Sequence, residues 1–260
     1  MSAPTDTQSK TGCYVYGILP GDVELDADID GVGNPPGPIR LVRSGELAAL
    51  VSEVDLSRPL GSPEDLQAHQ EILDSIIADS PVLPLRFGAV LTNEDAVAQE
   101  LLEPNQDEFA EALEQLDGRA EYLVKGRFVE KALLEEILSQ NSEASQLADQ
   151  IRGADPDATR ELRIQLGEII NNAVAQEREE GTRLLVSAMK DHCHASLVRD
   201  PTHELDAVSV AFLLDADEAD ELERVADDMR GRWEGLAELR VLGPMAAYDF
   251  VGGSEGARLT

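Results

Sequence analysis

Residues 39–54 read IRLVRSGELAALVSEV, two aliphatic runs on either side of Ser44-Gly45. The runs at 39–43 and 47–54 have the composition of β-strands, and a Ser-Gly pair between such runs is typical of a β-hairpin. A hairpin joins antiparallel strands, whereas parallel neighbours need a long crossover. The segment therefore favours an antiparallel sheet over a doubly wound one.

A strand precedes this hairpin and a helix follows it. Residues 13–19 (CYVYGIL) are aromatic and β-branched, and Pro20-Gly21 ends the run, which predicts a strand. Ser62 is a residue type that favours a helix N-cap, and Pro63 favours the first helical position. We expect a helix from there to about residue 78.

The alternation of strands and helices continues up to residue 138. The predicted elements are a strand at 82–91 (VLPLRFGAVL), helices at about 94–102 and 105–116, a strand at 121–129 and a helix at 130–138. Strands and helices interleave around a hairpin, so we expect helices on one face of an antiparallel sheet. The sequence predicts an α+β domain of the split βαβ, or ferredoxin-like, type.

The C-terminal half predicts a second α+β domain. Apolar residues recur at helical spacing in a long segment, 157–198, which is either two helices or one long helix with coiled-coil packing. A strand at 207–214, a helix at 216–233 and a strand at 236–242 follow. The expected divisions are a disordered tail at 1–12, an N-terminal domain at 13–138, a linker at 139–156, a C-terminal domain at 157–251 and a flexible tail at 252–260.

The charge of the chain excludes several classes of partner. The 260 residues include 52 acidic and 21 basic ones, a formal net charge of −31. Such a surface repels phosphate backbones and anionic lipids, and no run of Lys and Arg forms a basic patch. We expect neither a nucleic-acid partner nor a membrane partner.

The small share of lysine among the basic residues indicates the salt conditions in which the protein works. Only four of them are lysines, and an acid-rich, lysine-poor composition is typical of a salt-rich cytoplasm. The Debye length falls to about 3 Å near 1 M salt, so self-repulsion is screened there. The composition therefore predicts a halophilic source.

Other features favour a soluble, cytoplasmic protein. Hydrophobic residues make up 42% of the chain, enough for a core, and two cysteines do not form a disulfide framework. The N-terminus has no apolar signal region, and no apolar run is long enough to span a bilayer.

No sequence motif predicts a metal, a cofactor or catalysis. Helical spacing would turn His192 and His194 to nearly opposite sides, so these residues, with Cys193 and His203, are better explained as surface histidines beside a packed cysteine. An acidic loop at 26–31 resembles the start of a calcium loop, but Gly37 stands where a bidentate Glu is required. No Walker loop, complete dinucleotide fingerprint or GxSxG elbow is present.

The most unusual segment is Leu83-Pro84-Leu85-Arg86-Phe87-Gly88, which places a guanidinium inside an apolar run. In a continuous strand, Leu83, Leu85 and Phe87 would share one face. Pro84 removes a backbone donor and indicates an edge strand or a bulge. Two interpretations remain open: Arg86 binds a carboxylate or backbone of a partner, or it pairs with a nearby acid such as Glu121.

Several segments together resemble the GvpF/GvpL family of gas vesicle accessory proteins. They occur in the family's order over almost the whole chain: YVYGI at 14–18, Ala68-His69, VLPLRFG at 82–88, EYLVK at 121–125, Gly243-Pro244 and YDFV at 248–251. The family usually has Trp-Pro-Pro after its Gly-Pro pair, where this chain has Met245-Ala246-Ala247.

The resemblance implies a modified ferredoxin-like N-terminal domain and a C-terminal α+β domain with a long, coiled-coil-like helical segment. It also implies a non-enzymatic, cytoplasmic assembly factor, a minor shell-associated component that binds the shell protein GvpA and other accessory Gvp proteins. The candidate partner-binding or motif residues are Leu83, Pro84, Leu85, Arg86, Phe87, Gly88, Glu121, Lys125, Gly243, Pro244, Tyr248 and Phe250. A small-ligand regulatory module and an enzyme whose site is not visible in the sequence are the alternatives.

Overall fold

A computed structural model describes residues 11–25 and 29–251 of the chain. The predicted tail at 252–260 lies outside these ranges, as do residues 1–10 of the N-terminal tail. Thr11 and Gly12, which were expected to belong to that tail, are the first residues of a β-strand. Gly12 fits there because a Cβ at this position would clash with the side chain of Val90.

The first sheet contains the predicted hairpin. Its strands in the described part of the chain are β1 (Thr11–Pro20), β2 (Arg40–Ser44), β3 (Leu47–Asp55), β4 (Leu83–Pro84) and β5 (Val90–Leu91). The order is β2-β3-β1-β4, β5 also pairs with β1, and all of these pairs are antiparallel. Strand β1 lies centrally and its middle residues are all buried.

The helices that accompany the first sheet begin at the predicted N-cap residues. Helix α1 (Pro63–Ile76) has Ser62 as its N-cap and a capping box with Asp65, and it ends slightly before the expected residue. Asn93 caps α2 (Glu94–Ala96), which continues through a π-helical turn and a 3₁₀ turn into α3 (Gln106–Leu116).

The single strand predicted at 82–91 is wrong. The segment forms the two short strands β4 and β5 with a turn between them, so the alternation expected for Leu83, Leu85 and Phe87 does not apply. Pro84 has no N–H for a ladder, and Gly88 has a φ of 90°, a left-handed conformation that glycine adopts readily.

Helices connect the strands of the second sheet. The elements are β6 (Arg119–Phe128), α4 (Glu130–Gln140), α5 (Ser142–Ile151), α6 (Arg160–Met189), β7 (Ala195–Val198), β8 (Asp206–Asp215), α7 (Ala219–Arg232) and β9 (Ala237–Met245). The sheet order is β7-β8-β6-β9.

Two predicted elements of this half need correction. The expected linker at 139–156 contains α5, whose N-terminus is capped by the Asn141 side chain. The long helical segment is one helix, but it ends at Met189, and residues 195–198 form an edge strand instead. A polar composition therefore concealed a helix, because α5 buries only Ala144 and Leu147.

The chain forms two compact units. Among the described residues, the first comprises those up to Glu121 together with 244–251, and the second is Tyr122–Gly243. The second unit has the element order β-α-β-β-α-β of the split βαβ arrangement, with α6 and α7 as the crossover helices. The first unit has the same kind of sheet order, but the described residues between β1 and β2 contain no helix. The predicted α+β class with antiparallel sheets is confirmed.

Candidate functional site

Arg86 lies at the exposed tip of the turn between β4 and β5. Its side chain makes no ion pair or hydrogen bond with any residue in the described ranges. Glu121, the acid suggested as its partner, is fully buried and accepts a hydrogen bond from the Asp249 backbone N–H, with an N···Oε2 distance of 3.0 Å. Of the two interpretations of Arg86, the structure therefore contradicts pairing with Glu121.

Backbone hydrogen bonds hold this turn against β1. The Leu85 N–H donates to the Tyr16 carbonyl at 2.8 Å, and the Val15 N–H donates to the Ala89 carbonyl at 2.9 Å. The Gly88 N–H donates to the Tyr14 hydroxyl at 3.1 Å. The Arg86 guanidinium therefore lies on a turn that is hydrogen-bonded to β1 both before and after Arg86.

Phe87 connects the turn to a cluster of aromatic rings. Its ring centroid lies 5.8 Å from that of Tyr14 and 5.6 Å from that of His69, both in edge-on orientations. The rings of Tyr14 and Tyr16 are 4.8 Å apart. Phe87 itself is half-buried and lies next to Arg86 in the turn.

The cluster is neutral at ordinary pH. The Tyr14 hydroxyl lies 2.9 Å from Nδ1 of His69, and burial raises the pKa of Tyr14 well above its usual range. Burial also lowers the pKa of His69, although the Leu85 backbone partly opposes this effect. Tyr16 accepts a hydrogen bond from the Val32 N–H at 2.7 Å and lies 2.8 Å from Ser52 Oγ.

The C-terminal segment 244–251 packs on the same cluster. Two carboxylates hold its backbone, since the Ala246 N–H donates to Asp74 at 3.0 Å and the Asp249 N–H donates to Glu121 at 3.0 Å. The Tyr248 ring lies 6.2 Å from that of His69. The first strand, the α1 helix, the β4–β5 turn and the C-terminal segment thus meet in one unit.

The structure separates the predicted motif residues into groups. Leu83 and Pro84 are buried in β4, while Leu85, Phe87, Tyr248 and Phe250 are half-buried in the first unit. Gly88, Gly243 and Pro244 are exposed, as is Lys125 on β6. Lys125 and Gly243 belong to the second unit, so they do not join the aromatic cluster.

Sequence reasoning placed Ala68-His69 among the resembling segments but not among the candidate site residues. His69 is 3% exposed and lies one turn before Ile72 and Leu73 on the buried face of α1. That i, i+3 and i+4 spacing was the signal for its position. Asp74 carried no comparable signal, because its partner Ala246 is distant in sequence.

In the described part of the chain, no group of three or more His, Cys, Asp or Glu residues is arranged to bind a metal ion. His192 lies between two carboxylates, with Nδ1 2.8 Å from Glu218 and Nε2 3.9 Å from Glu221, and His194 Nε2 lies 2.7 Å from Asp215. The candidate calcium loop falls partly outside the described residues. Among the described helices, none is long and apolar enough to cross a membrane.

A family model described as "Gas vesicle synthesis protein GvpL/GvpF" matches residues 12–252, nearly the whole of the chain. The chain belongs to the GvpL/GvpF family. Gas vesicle protein F of Streptomyces sp. (strain CB03234) is 36% identical over 243 residues, which cover 92% of this chain and 98% of that protein. This GvpL/GvpF protein therefore has a gas vesicle-related role, as an accessory or structural member that associates with other gas vesicle proteins.

Two crystal structures share the fold of this GvpL/GvpF protein. GvpF from Anabaena sp. PCC7120 gives a TM-score of 0.78 at 24% identity, covering 94% of this chain and 100% of that chain. GvpF from Microcystis aeruginosa gives a TM-score of 0.73 at 20% identity, covering 92% of this chain and 98% of that chain. The mixed α+β architecture is thus shared despite low sequence identity.

Proposed function

We propose that this protein is a cytoplasmic gas vesicle assembly factor and a minor shell-associated component. It binds the hydrophobic shell protein GvpA and other accessory Gvp proteins, and it prevents aggregation of GvpA during nucleation. The observation that supports this proposal is the exposed Arg86 guanidinium, which has no ion pair among the described residues and sits beside a half-buried Phe87.

The physical need for such a factor follows from shell assembly. Subunits that join edge to edge into a wall with one dry side expose apolar surface and strand edges before they assemble. Such surfaces aggregate. A partner with a net charge of −31 keeps the complex hydrated while it covers these surfaces.

The β4–β5 turn has the chemistry of a protein contact. Arginine carries five donors in a planar arrangement that matches a carboxylate or backbone carbonyls. The half-buried Phe87 next to it adds apolar contact area, and both arginine and aromatic residues are enriched in protein interfaces. Because hydrogen bonds to β1 fix the turn, little conformational entropy is lost when it binds.

The test is co-expression with GvpA in high salt, followed by affinity pull-down and a solubility assay. We expect soluble GvpA to be retained only when this chain is present. Arg86→Ala and Phe87→Ala should each weaken retention by about tenfold or more, the loss typical of a central interface residue. Arg152→Ala is the matched control, since Arg152 is an exposed arginine at the C-terminal end of α5, where it caps the helix and has one surface ion pair, with Asp149.

Two outcomes would contradict the proposal at different levels. Folded Arg86→Ala and Phe87→Ala variants that retain GvpA at full strength would exclude the β4–β5 turn as the binding site. Insoluble GvpA and an empty pull-down with the folded unaltered chain would exclude the assembly role itself.

A further inference from the structure

The second sheet has a free edge at strand β7, away from the β4–β5 turn of the first unit. Strand β7 is the end strand in the order β7-β8-β6-β9, so one of its sides has no neighbouring strand in the described part of the chain. Val198, the last residue of β7, is 54% exposed. An apolar open edge pairs with other chains unless charges, prolines or bulges protect it. Arg199-Asp200-Pro201 follows β7 directly, so the apolar part of this edge is confined to the four residues of the strand.

The hydrogen-bond register shows which backbone groups are free at this edge. The Arg199 N–H donates to the Ser209 carbonyl at 2.9 Å, and Leu197 is paired with Ala211 in the same register. In an antiparallel ladder, alternate residues point their N–H and C=O groups to opposite sides. The backbone groups of Ser196 and Val198 therefore point away from β8 toward the open edge.

Helix α6 packs against β8, and one side of the helix borders a groove at the C-terminal end of β7. Side chains about one turn apart on the helix, including Glu179, Thr182 and Val186, line a groove together with Val198 and Ser209. The groove encloses about 510 Å³. An open strand edge beside a helix has the geometry in which extended peptides bind by adding a strand to a sheet.

The groove is less acidic than the chain as a whole, because its lining contains as many basic residues as acidic ones: Arg178, Arg183 and Arg199 against Glu179, Asp200 and Asp206. Arg183 is exposed and its side chain has no ion pair or hydrogen bond with the described residues, although Glu179 lies one turn before it. Arg178 is fixed, since it donates to the Asp206 carbonyl at 2.6 Å and to the Glu204 carbonyl at 2.9 Å. A chain with 52 acidic residues has thus left a guanidinium available in this groove.

We propose that the groove between β7 and α6 binds an extended segment of another gas vesicle protein as an added β-strand. The free backbone groups of Ser196 and Val198 pair with that segment. Its aliphatic side chains contact Val186 and Val198, and a carboxylate on it pairs with Arg183. This surface lies in the second unit and is independent of the Arg86 turn in the first.

Hydrogen exchange of the full-length chain, alone and in its co-expressed complex with GvpA and the accessory proteins, tests the backbone pairing. We expect the amides of Ser196 and Val198 to exchange at least about tenfold more slowly in the complex, because each becomes a ladder donor. Unchanged exchange of both amides in the complex would overturn the proposal. Protection already present in the isolated chain, with dimers seen by sedimentation, would assign the edge to a second copy and also overturn it.

Substitutions in the groove test the chemistry of the occupant. Val198→Pro removes a donor that points away from β8, so the ladder to β8 is retained while partner binding falls at least about tenfold. Val198→Thr keeps both the N–H and the side-chain shape and is the matched control. Arg183→Glu should weaken binding similarly, whereas Arg152→Glu should not, and equal effects of the two reversals would indicate only a general charge effect.

A photo-crosslinker identifies the segment directly. p-Benzoylphenylalanine in place of Glu179, an exposed residue of the groove, should crosslink in the complex to an extended partner segment that contains aliphatic residues and an Asp or Glu. A crosslink to a lysine-rich or helical segment would contradict the proposal. Arg86→Ala should leave this crosslink in place in whatever complex still forms, which separates the two surfaces.

Discussion

At the residue scale, Tyr14 and Tyr248 differ in what their hydroxyl groups contact. The Tyr14 hydroxyl accepts the Gly88 N–H and lies within hydrogen-bond distance of His69, whereas the buried Tyr248 hydroxyl has no partner among the described residues. We expect Tyr14→Phe to lower the free energy of unfolding by about 1–3 kcal/mol, because it leaves buried groups unpaired. Urea unfolding followed by circular dichroism measures this.

Tyr248→Phe is the matched control for that substitution. Its hydroxyl is buried without a hydrogen bond, so we expect its removal to change the free energy of unfolding by less than about 0.5 kcal/mol, or to raise it. A loss as large as that of Tyr14→Phe would show that an ordered water or another group satisfies the Tyr248 hydroxyl.

Cys13 makes the free energy of unfolding depend on pH in the alkaline range. Burial, with a smaller contribution from Glu94, raises the pKa of its thiol from 9.0 to about 11. The unfolded chain therefore loses this proton at a lower pH than the folded chain does. The contribution to stability is complete below about pH 9 and is lost as the pH rises toward 11.

We expect the free energy of unfolding to fall between pH 9 and 11, and Cys13→Ala to make this fall less steep. Denaturant unfolding at pH 8, 9, 10 and 11 measures both slopes. Burial of Tyr14 and Tyr248 raises their pKa values as well, so part of the fall remains in the variant. Identical slopes for the two proteins would show that Cys13 titrates normally.

At the element scale, helix α6 contains two glycines in different surroundings. A Cβ at Gly181 would clash with the ring of Trp233, which is 4% exposed, whereas a Cβ at Gly167 would have no described atom within 4 Å other than its chain neighbours and the nearby backbone of its own helix. We expect Gly167→Ala to raise the free energy of unfolding by about 0.5–1 kcal/mol, because alanine favours the helix. Gly181→Ala should lower it by about 1–3 kcal/mol through overpacking.

Thermal or chemical unfolding of the two variants gives the sign of each change in the free energy of unfolding. Stabilisation by both substitutions would mean that the Trp233 ring moves aside without cost. Destabilisation by both would mean that Gly167 is constrained by something outside the described residues.

Elements differed in how far local sequence determined them. The Ser44-Gly45 hairpin and the Ser62 cap of α1 formed as predicted, because turn and capping preferences act within a few residues. The segment 82–91 did not, because Tyr14 and β1 supply the hydrogen bonds that its own residues cannot. Helix α5 was also concealed, since only two of its residues are buried.

At the scale of the whole molecule, the net charge of −31 governs the response to salt. Like charges repel most in the compact state, and screening weakens this repulsion as the Debye length falls from about 10 Å at 0.1 M to about 3 Å at 1 M. We therefore expect the melting temperature to rise with KCl over this range and then to level off. A melting temperature that is independent of KCl would contradict the effect, and a continued linear rise in KCl would indicate ion exclusion instead.

The sequence by itself determined the α+β class, the hairpin, most strands and helices, and the resemblance that the family match confirmed. These depend on periodicity, turn residues and short motifs, which are local. Only the tertiary structure decided that Arg86 is exposed rather than paired with Glu121, and that 244–251 packs with the first strand. Those arrangements depend on contacts between residues far apart in the chain, such as Asp74 with Ala246, and no local pattern encodes them.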